Sequence, residues 1–355
     1  LFFATAMTEG GFGMPLLAEN HLGRPTKLEG NPEHPASLGA TDIFGQAAVL
    51  SLYDPDRSLT LRYRGDTKTW AGFTAALQAV LSTQTALKGA GLRILTEPVT
   101  SPSLIEQMHA LLTALPEAKW HQWDAVYGTV QGGAAPATPL YHFKNADIVV
   151  ALDADFMGFG PSSVRYTKDF SSRRRIGTPA DQQNRLYAIE PVPTITGTQA
   201  EHRVAVKARD VHHIALALAA AVGVATPGAG APEALTERMQ KVLPVMAQDL
   251  LDHGGRSVVV AGPHQPASVH ALARAMNEAL GNVGSTVVYT APIAATPADG
   301  AASLADLVAD MNGSKVDVLL ILGGNPVFTS PVDLSFTEAL SHVGTRVHLG
   351  LYYDE

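Results

Sequence analysis

The stretch VDVLLILGGNP, residues 316–326, is an apolar strand-like run that ends in a turn, a pattern that recurs along much of the chain. Five consecutive apolar residues precede its glycines, which is typical of a strand that is buried on both faces of a sheet. Gly323 and Gly324 allow the backbone to approach another group closely, and Asn325 and Pro326 favour a turn. Parallel α/β sheets bind ligands at such strand ends, but a structural turn without a ligand explains the pattern equally well.

Other segments share this apolar strand character: LRILTE (92–97), DIVVAL (147–152), RLYAIE (185–190), RSVVVAG (256–262), STVVYT (285–290) and TRVHLGL (345–351). Helical patterns lie between most of them, over 69–87, 103–115, 209–222, 234–253, 266–280, 302–312 and 333–342. The alternation predicts an α/β fold with two doubly wound, Rossmann-like units and mostly parallel sheets. Residues 1–58 predict an irregular or β-rich lead-in, and 223–233 and 291–300 are the best linker candidates.

The composition excludes several classes of function. A net charge of −8 argues against nucleic acid as a partner. The chain has no cysteine, which excludes disulfides and cysteine-ligated clusters within it. Its apolar runs are too short for a direct membrane span. The chain starts at Leu1 without a signal-peptide pattern and ends just after a strand-like run, so we expect a segment of a longer polypeptide.

Common catalytic motifs, such as the P-loop, GxGxxG after a strand, GxSxG and HExxH, do not occur in the sequence. The pair His212–His213 favours ordinary histidines over metal ligands. A local basic stretch could bind an anion, although pairing with the surplus carboxylates is the interpretation that we favour. Its members are Arg165, Lys168, Arg173, Arg174, Arg175 and Arg185.

Acidic residues stand at two further strand ends. Asp153 and Asp155 follow DIVVAL, and Glu190 ends RLYAIE, while AGPHQP (261–266) follows a third strand. We expect both aspartates to stay ionised and to face solvent or basic side chains, with the run Arg173–Arg175 as the nearest compensating charge. Two like charges at a strand end would repel a phosphate.

These segments, taken together and in order, resemble the molybdopterin oxidoreductases of the dimethyl sulfoxide reductase family. GRPTKLEGNPEHPASLG (23–39) resembles a lead-in motif of that family, and LYDPDR (52–57) the Y-x-P-D-R that follows it. KTWAGFTAAL, NADIVVALDAD, RLYAIEPVPT and VDVLLILGGNP resemble four later motifs, so that the match covers nearly the whole chain. The resemblance is strongest to the amino-terminal half of the iron–sulfur subunits of alternative complex III.

The departures from the family pattern concern its cofactors. Asp42 stands in the place of a cysteine that ligates an iron–sulfur cluster, and Asp153 and Asp155 replace a glycine and an asparagine that approach the dinucleotide. Val192 replaces an arginine, and Ala208 lies where a later loop has lost its glycine. Under the resemblance, the remaining cofactor-binding positions are vestigial candidates: Gly323, Gly324, Asn325, Pro326, Asp153, Asp155 and Glu190. No catalytic residue and no metal ligand is expected.

The resemblance therefore implies a scaffold domain without cofactor, in a membrane-associated quinol-oxidising complex on the periplasmic face of a bacterial inner membrane. Its expected partners are other subunits of that electron-transfer complex and an iron–sulfur half that this chain lacks. The implied domains are a lead-in over 1–58, a discontinuous α/β domain over 59–123 and 298–355, and an inserted α/β domain over 124–297. LRILTE and VDVLLIL should then share one sheet, and DIVVAL, RLYAIE and RSVVVAG another.

Two rival interpretations remain open at the level of sequence. One is a working oxidoreductase fragment with degenerate motifs, in which Gly323, Gly324, Asn325 and the basic stretch still hold a molybdopterin guanine dinucleotide. The other is a free-standing binding protein for small molecules, with two α/β lobes and a ligand-responsive cleft. Metal content separates the first from the scaffold, and the presence of subunit partners separates the second.

Overall fold

The computed structural model describes residues 1–126, 138–175, 177, 183–225, 235–294 and 300–355. This part of the chain has a mixed α/β fold with two four-stranded parallel sheets. Most of the linker candidate 223–233 and half of 291–300 lie outside the described residues. None of the helices in the described part combines the length and the apolar character needed to span a bilayer.

The lead-in is rich in β-structure, as the sequence predicts. Its three strands form one antiparallel sheet in the order β1-β2-β3, with β1 at Phe2–Glu9, β2 at Phe12–His21 and β3 at Arg24–Gly30. A short helix α1 (Ile43–Ala47) and a hairpin of β4 (Leu61–Tyr63) and β5 (Asp66–Lys68) follow.

Helices and strands alternate through the rest of the chain. The strands are β6 (Leu92–Thr96), β7 (Lys119–Gln122), β8 (Thr138–Tyr141), β9 (Ile148–Leu152), β10 (Arg185–Glu190), β11 (His202–Ala205), β12 (Ser257–Ala261), β13 (Val287–Thr290), β14 (Val318–Leu322) and β15 (Thr345–Leu349). The helices are α2 (Trp70–Ala86), α3 (Pro102–Ala114), α4 (Ser163–Ser172), α5 (Ile195–Thr198), α6 (Asp210–Ala221), α7 (Glu237–Asp252), α8 (Ala267–Ala279), α9 (Gly300–Asn312), α10 (Pro326–Thr329) and α11 (Phe336–Ser341).

The first parallel sheet has the strand order β7-β6-β14-β15 and combines the two ends of the α/β region. On one face, Leu95 and Leu319 pack against apolar residues of α9 and α11. On the other face, Ile94 and Val318 pack against α2 and α3. Both faces are covered, so successive residues of each strand are buried, and this explains why the sequence shows continuous apolar runs.

The second parallel sheet has the order β11-β10-β9-β12, and its strands lie in sequence between β7 and β14. Alternate residues of β9 point to opposite layers. Val150 and its neighbours on that face pack against α6, α7 and α8. Val149 packs against a largely aromatic layer that includes Phe143, Phe156 and Phe170. The predicted division of the strands into two sheets, one nested in the other, is confirmed, whereas the exact domain boundaries stay a prediction.

Among the described strands that follow α2, three were not expected from the sequence. The edge strands β7 and β11 have only four residues each and carry polar side chains, so their periodicity is weak. The third, β8, pairs antiparallel with β13 in a separate two-stranded sheet. STVVYT is therefore a strand, as the sequence predicts, and it pairs with β8 rather than with either parallel sheet.

A buried ion pair joins the first sheet to helix α9. Arg93 on β6 donates to the Asp310 carboxylate at 2.9 Å, and both side chains are about 5% exposed. Lys119 on β7 also donates to Asp310, at 2.8 Å. Burial alone raises the pKa of the Asp310 carboxyl, but the hydrogen bonds from Lys119 and Arg93 outweigh burial and hold that pKa below its usual value.

Replacing Asp310 by Asn should lower the free energy of unfolding by about 3–5 kcal/mol at pH 7, because the Arg93 guanidinium is then buried without a counter-charge. The carboxyl pKa is lowered in the folded state, so its stabilising effect is present above about pH 4 and is lost as the pH falls further. The difference between the two proteins in urea denaturation should therefore shrink in acid.

Asp306→Asn is the matched control for this substitution. Asp306 lies one helical turn earlier on α9 and shares the partner Lys119, but its side chain is half exposed. We expect it to change stability by less than about 1 kcal/mol. Equal effects of the two substitutions would contradict the assigned role of the buried pair.

Candidate functional site

Asp153 lies at the switch point of the second sheet. The chain runs from β9 to β10 and β11 on one side and then places β12 on the other side of β9, so a ligand of such a fold would bind between the ends of β9 and β12. Asp153 follows β9 there, in the left-handed backbone region with φ +50°. Its Oδ2 lies 2.7 Å from His264 Nε2 and accepts a hydrogen bond from Gln265 Nε2 at 2.8 Å.

The two other acidic residues at this edge also bind the chain itself. Asp155 Oδ1 accepts from the Thr196 backbone N–H at 2.8 Å. Glu190, which is 3% exposed, accepts from the Thr194 hydroxyl at 2.6 Å and from the Arg203 guanidinium. The loops after β9 and β10 are thereby locked to each other, and α5 lies across the ends of both strands.

Three glycines at this edge are close to these acidic residues. A Cβ at Gly197 would lie 1.9 Å from Glu190 Oε1, and one at Gly158 would lie 2.4 Å from Asp155 Oδ2. A Cβ at Gly262 would lie 1.8 Å from the Asp153 carbonyl oxygen. In dinucleotide-binding folds, glycines at strand ends let the backbone approach a pyrophosphate. Here the close approach is to the protein's own oxygen atoms, so these residues do not fit a pyrophosphate at this edge.

The expectation that Asp153 faces solvent or a basic side chain is met by His264, since the Asp153 side chain is only 7% exposed. The expectation that the run Arg173–Arg175 compensates the aspartates is wrong, because Arg173 pairs with Asp147 at 2.6 Å, at the start of β9. Parallel strands place their starts and ends at opposite edges of the sheet, so this basic run cannot reach the acidic edge. Arg174 pairs with Glu201 at 2.5 Å.

The basic stretch pairs largely with carboxylates, as the favoured interpretation predicts, and two of its members also hold the lead-in. Arg165 pairs with Asp169 at 2.8 Å, and Arg185 with Asp249 at 2.5 Å. In addition, Arg165 donates to the Pro35 carbonyl at 2.6 Å. Lys168 donates to the Leu38 carbonyl. Helix α4 thus anchors the segment GNPEHPASLG of the lead-in to the second sheet.

That segment is folded on itself around Asn31. The Asn31 side-chain oxygen accepts a hydrogen bond from the Glu33 N–H at 3.0 Å. The Asn31 backbone carbonyl accepts from the Ser37 hydroxyl and the Gly39 N–H, each at 3.0 Å. Asp42 caps the following helix α1, since its Oδ1 accepts from the Gly45 N–H at 2.7 Å. The residue in the place of a cluster cysteine therefore has a structural partner within its own turn.

The switch point of the first sheet lies between β6 and β14 and opens into a cleft of about 110 Å³. Gly323 and Gly324 line it with φ +79° and +66°, and Asn325 caps α10 by accepting from the Phe328 N–H at 3.1 Å. Pro326 is the first residue of that helix. Pockets for small ligands typically measure about 300–1,000 Å³. The described residues therefore leave less room here than a pterin dinucleotide needs.

Glu97 is a member of this cleft that the sequence interpretation missed. It follows β6, and its carboxylate lies next to Gly323, where an added Cβ would be 3.2 Å from Oε2. Burial raises the pKa of the Glu97 carboxyl, and the negative charge of Asp124 after β7 raises it further. The signal was available, because Glu97 directly follows the apolar run LRILT at the carboxyl end of its strand.

Potential metal ligands converge at one place in the described part of the chain, on His121, Asp306 and Asp310, whose ligand-capable atoms lie within 4.8 Å of one another. Lys119 and Arg93 already neutralise both carboxylates. The Nε2 atom of His121 is buried without a hydrogen-bond partner. A divalent cation would meet no net negative charge, so this group fits an ion-pair network better than a metal site.

No protein-family model matches the sequence, and no curated protein matches it either. The resemblance to molybdopterin oxidoreductases therefore depends on the sequence motifs themselves. Vestigial candidates lie at the ends of both sheets: Gly323 to Pro326 line the cleft of the first, and Asp153, Asp155 and Glu190 close the edge of the second.

Gly197→Ala should lower the free energy of unfolding by about 1–3 kcal/mol, because the new methyl group overlaps Glu190 Oε1 in a packed site. Urea denaturation measures this difference. Gly13→Ala is the control, since a Cβ there meets no atom within 4 Å. A Gly197 variant as stable as its control would show that the edge is looser than the structure describes.

The double substitution Arg165→Ala with Lys168→Ala should free the lead-in segment from α4. We expect protease Glu-C to cleave after Glu33 several times faster than in the unaltered chain, since cleavage follows the population of locally open states. Lys241→Ala, which removes an exposed ion pair with Glu237, is the control. Unchanged cleavage in the double variant would show that these two side chains do not hold the segment.

Proposed function

We propose that this chain is a molybdopterin-oxidoreductase-like domain without a cofactor, with a structural role in a membrane-associated quinol-oxidising complex of the alternative complex III type. The motif resemblance suggests the family and the complex. His264 and Gln265 bond to Asp153 at the switch point of the second sheet. This bonding is the observation that most supports a domain without a cofactor.

The electrostatics of both switch points support this proposal. A dinucleotide cofactor brings a pyrophosphate with at least two negative charges, which proteins bind with backbone N–H groups, helix N-termini and basic side chains. The second sheet presents Asp153, and the first presents Glu97 next to Asp124. Carboxylates in these places repel an anion, and at Asp153 the bonds from His264 and Gln265 offset the cost of removing the carboxylate from water.

The nested arrangement supports a scaffold role. Helix α4 of the second sheet holds the lead-in, and the Thr100 hydroxyl near the end of β6 donates to the Gly11 carbonyl at 2.7 Å. The lead-in is thus fixed to both α/β units, and it can serve as a rigid support for neighbouring subunits. In this proposal the iron–sulfur half and other subunits of the complex carry the electrons, at the periplasmic face of the membrane.

Elemental analysis tests the proposal directly. The chain is expressed in cells that make molybdopterin guanine dinucleotide, beside a cofactor-containing molybdopterin oxidoreductase as the positive control. We expect less than about 0.05 molybdenum or tungsten per chain, and no pterin fluorescence after acid release, because the acidic switch points cannot hold the pyrophosphate. Near-stoichiometric metal would overturn the proposal in favour of a catalytic oxidoreductase fragment.

The scaffold role needs a separate measurement. The native polypeptide that contains this sequence should be isolated from membranes in mild detergent, and the proteins that remain bound should be identified by mass spectrometry. Co-purification with redox subunits and quinol-oxidising activity is expected. A cofactor-free protein that is recovered alone from mild extraction would contradict the scaffold role and favour a free-standing binding protein.

A further inference from the structure

Strand β1 is exposed on both faces and lies at an open edge. Among the described residues it pairs with β2 alone, in the sheet order β1-β2-β3. Residues 2–6 are all exposed, including the large side chains of Phe2 (64%) and Phe3 (54%). An edge strand of this kind presents a row of unpaired backbone N–H and C=O groups to any strand that approaches it.

The register determines which backbone groups face outward. Leu1 and Asn20 exchange two hydrogen bonds, so every second residue of β1 from Leu1 onward bonds to β2. The backbone groups of the residues between them point to the open edge. These residues are Phe2, Ala4, Ala6 and Thr8.

Three other edge strands in the described chain carry the usual protection against such pairing. Strand β3 contains Pro25 and Lys27, β15 contains Arg346, and β11 is only four residues long. Charges, proline and shortness all discourage pairing at an edge. In contrast, β1 has eight residues, FFATAMTE, with Glu9 as its sole charge, without proline and without a register shift against β2.

We propose that β1 is a self-association surface, on which a second copy of this chain adds its own β1 in antiparallel orientation. One register gives all four outward residues a partner: Phe2 opposite Thr8 of the other copy, Ala4 opposite Ala6, and Thr5 on the two-fold axis facing its own copy. Such a pair forms about eight inter-chain hydrogen bonds. The proposal does not depend on the proposed function.

The side chains of β1 are compatible with this register. Phe3 faces Met7 of the other copy, a contact between an aromatic ring and a sulfur atom, and the two Thr5 side chains can exchange a hydrogen bond. Glu9 does not face its own copy, so no like charges meet. A single pair of strands buries less surface than a standard interface, and we therefore expect a dissociation constant on the order of micromolar.

Charge substitutions at Thr5 test both the surface and the register. Thr5→Lys and Thr5→Glu each place two like charges on the two-fold axis, so each variant alone should raise the dissociation constant of the dimer at least tenfold. An equimolar mixture of the two variants should recover the association, because opposite charges then face each other. Sedimentation velocity over a range of concentrations of the 355-residue chain measures all three samples.

Two further variants separate this effect from misfolding and from other surfaces. Ala6→Pro removes an N–H that points outward, so it should abolish the dimer while the bonds to β2 remain. Leu22→Lys, at a fully exposed position in the turn between β2 and β3, should leave the dimer unchanged. The proposal is overturned if the unaltered chain is still monomeric at about 100 μM, which is 100-fold above the expected dissociation constant. It is also overturned if the dimer persists in the Thr5 and Ala6 variants.

Discussion

The parallel pairing of β6 with β14 and of β9 with β12 constrains the rest of the structure. Parallel strands are buried on both faces, so other elements must cover both faces of each sheet. Because the strands run in one direction, their carboxyl ends all lie at the same edge of the sheet. In the first sheet, α2 and α3 cover one face, and α9 and α11 cover the other. In the second sheet, α6 to α8 cover one face, and the aromatic layer covers the other. The shared strand direction brings Asp153 and Glu190 to one edge of the second sheet and Glu97 to the corresponding edge of the first.

The two edges handle their carboxylates differently. Asp153 and Glu190 are buried but have hydrogen-bond donors from side chains of the same domain, which offset the cost of removing charge from water. Burial raises the pKa of the Glu97 carboxyl, and the neighbouring Asp124 carboxylate raises it further. Both arrangements put carboxylates where a dinucleotide fold places phosphate, so the two switch points agree in sign.

Much of the fold could be predicted from the sequence because buried parallel strands leave a strong local pattern. RLYAIE matches β10 at both ends, and the other long apolar runs match their strands within a few residues. The edge strands β7 and β11 could not be found in this way, since four residues of mixed polarity have no clear period. The carboxylates at the strand ends were identified for the same reason as the strands, but their partners were not.

Those partners are distant in sequence, which explains why local patterns could not reveal them. His264 and Gln265 are 111 and 112 residues from Asp153, and Arg165 is 130 residues from the Pro35 carbonyl that it binds. The basic run at 173–175 is only about 20 residues from Asp153, yet it lies at the opposite edge because helix α4 between the two carries the chain back along the sheet. In a doubly wound fold, the position of a residue in the sequence determines which strand it adjoins. The direction of that strand determines the edge of the sheet at which its charge lies, and therefore the charges that are near it. A lone acidic residue at a strand end therefore predicts the sign of the local potential, while the compensating groups come from the strand that the topology places beside it.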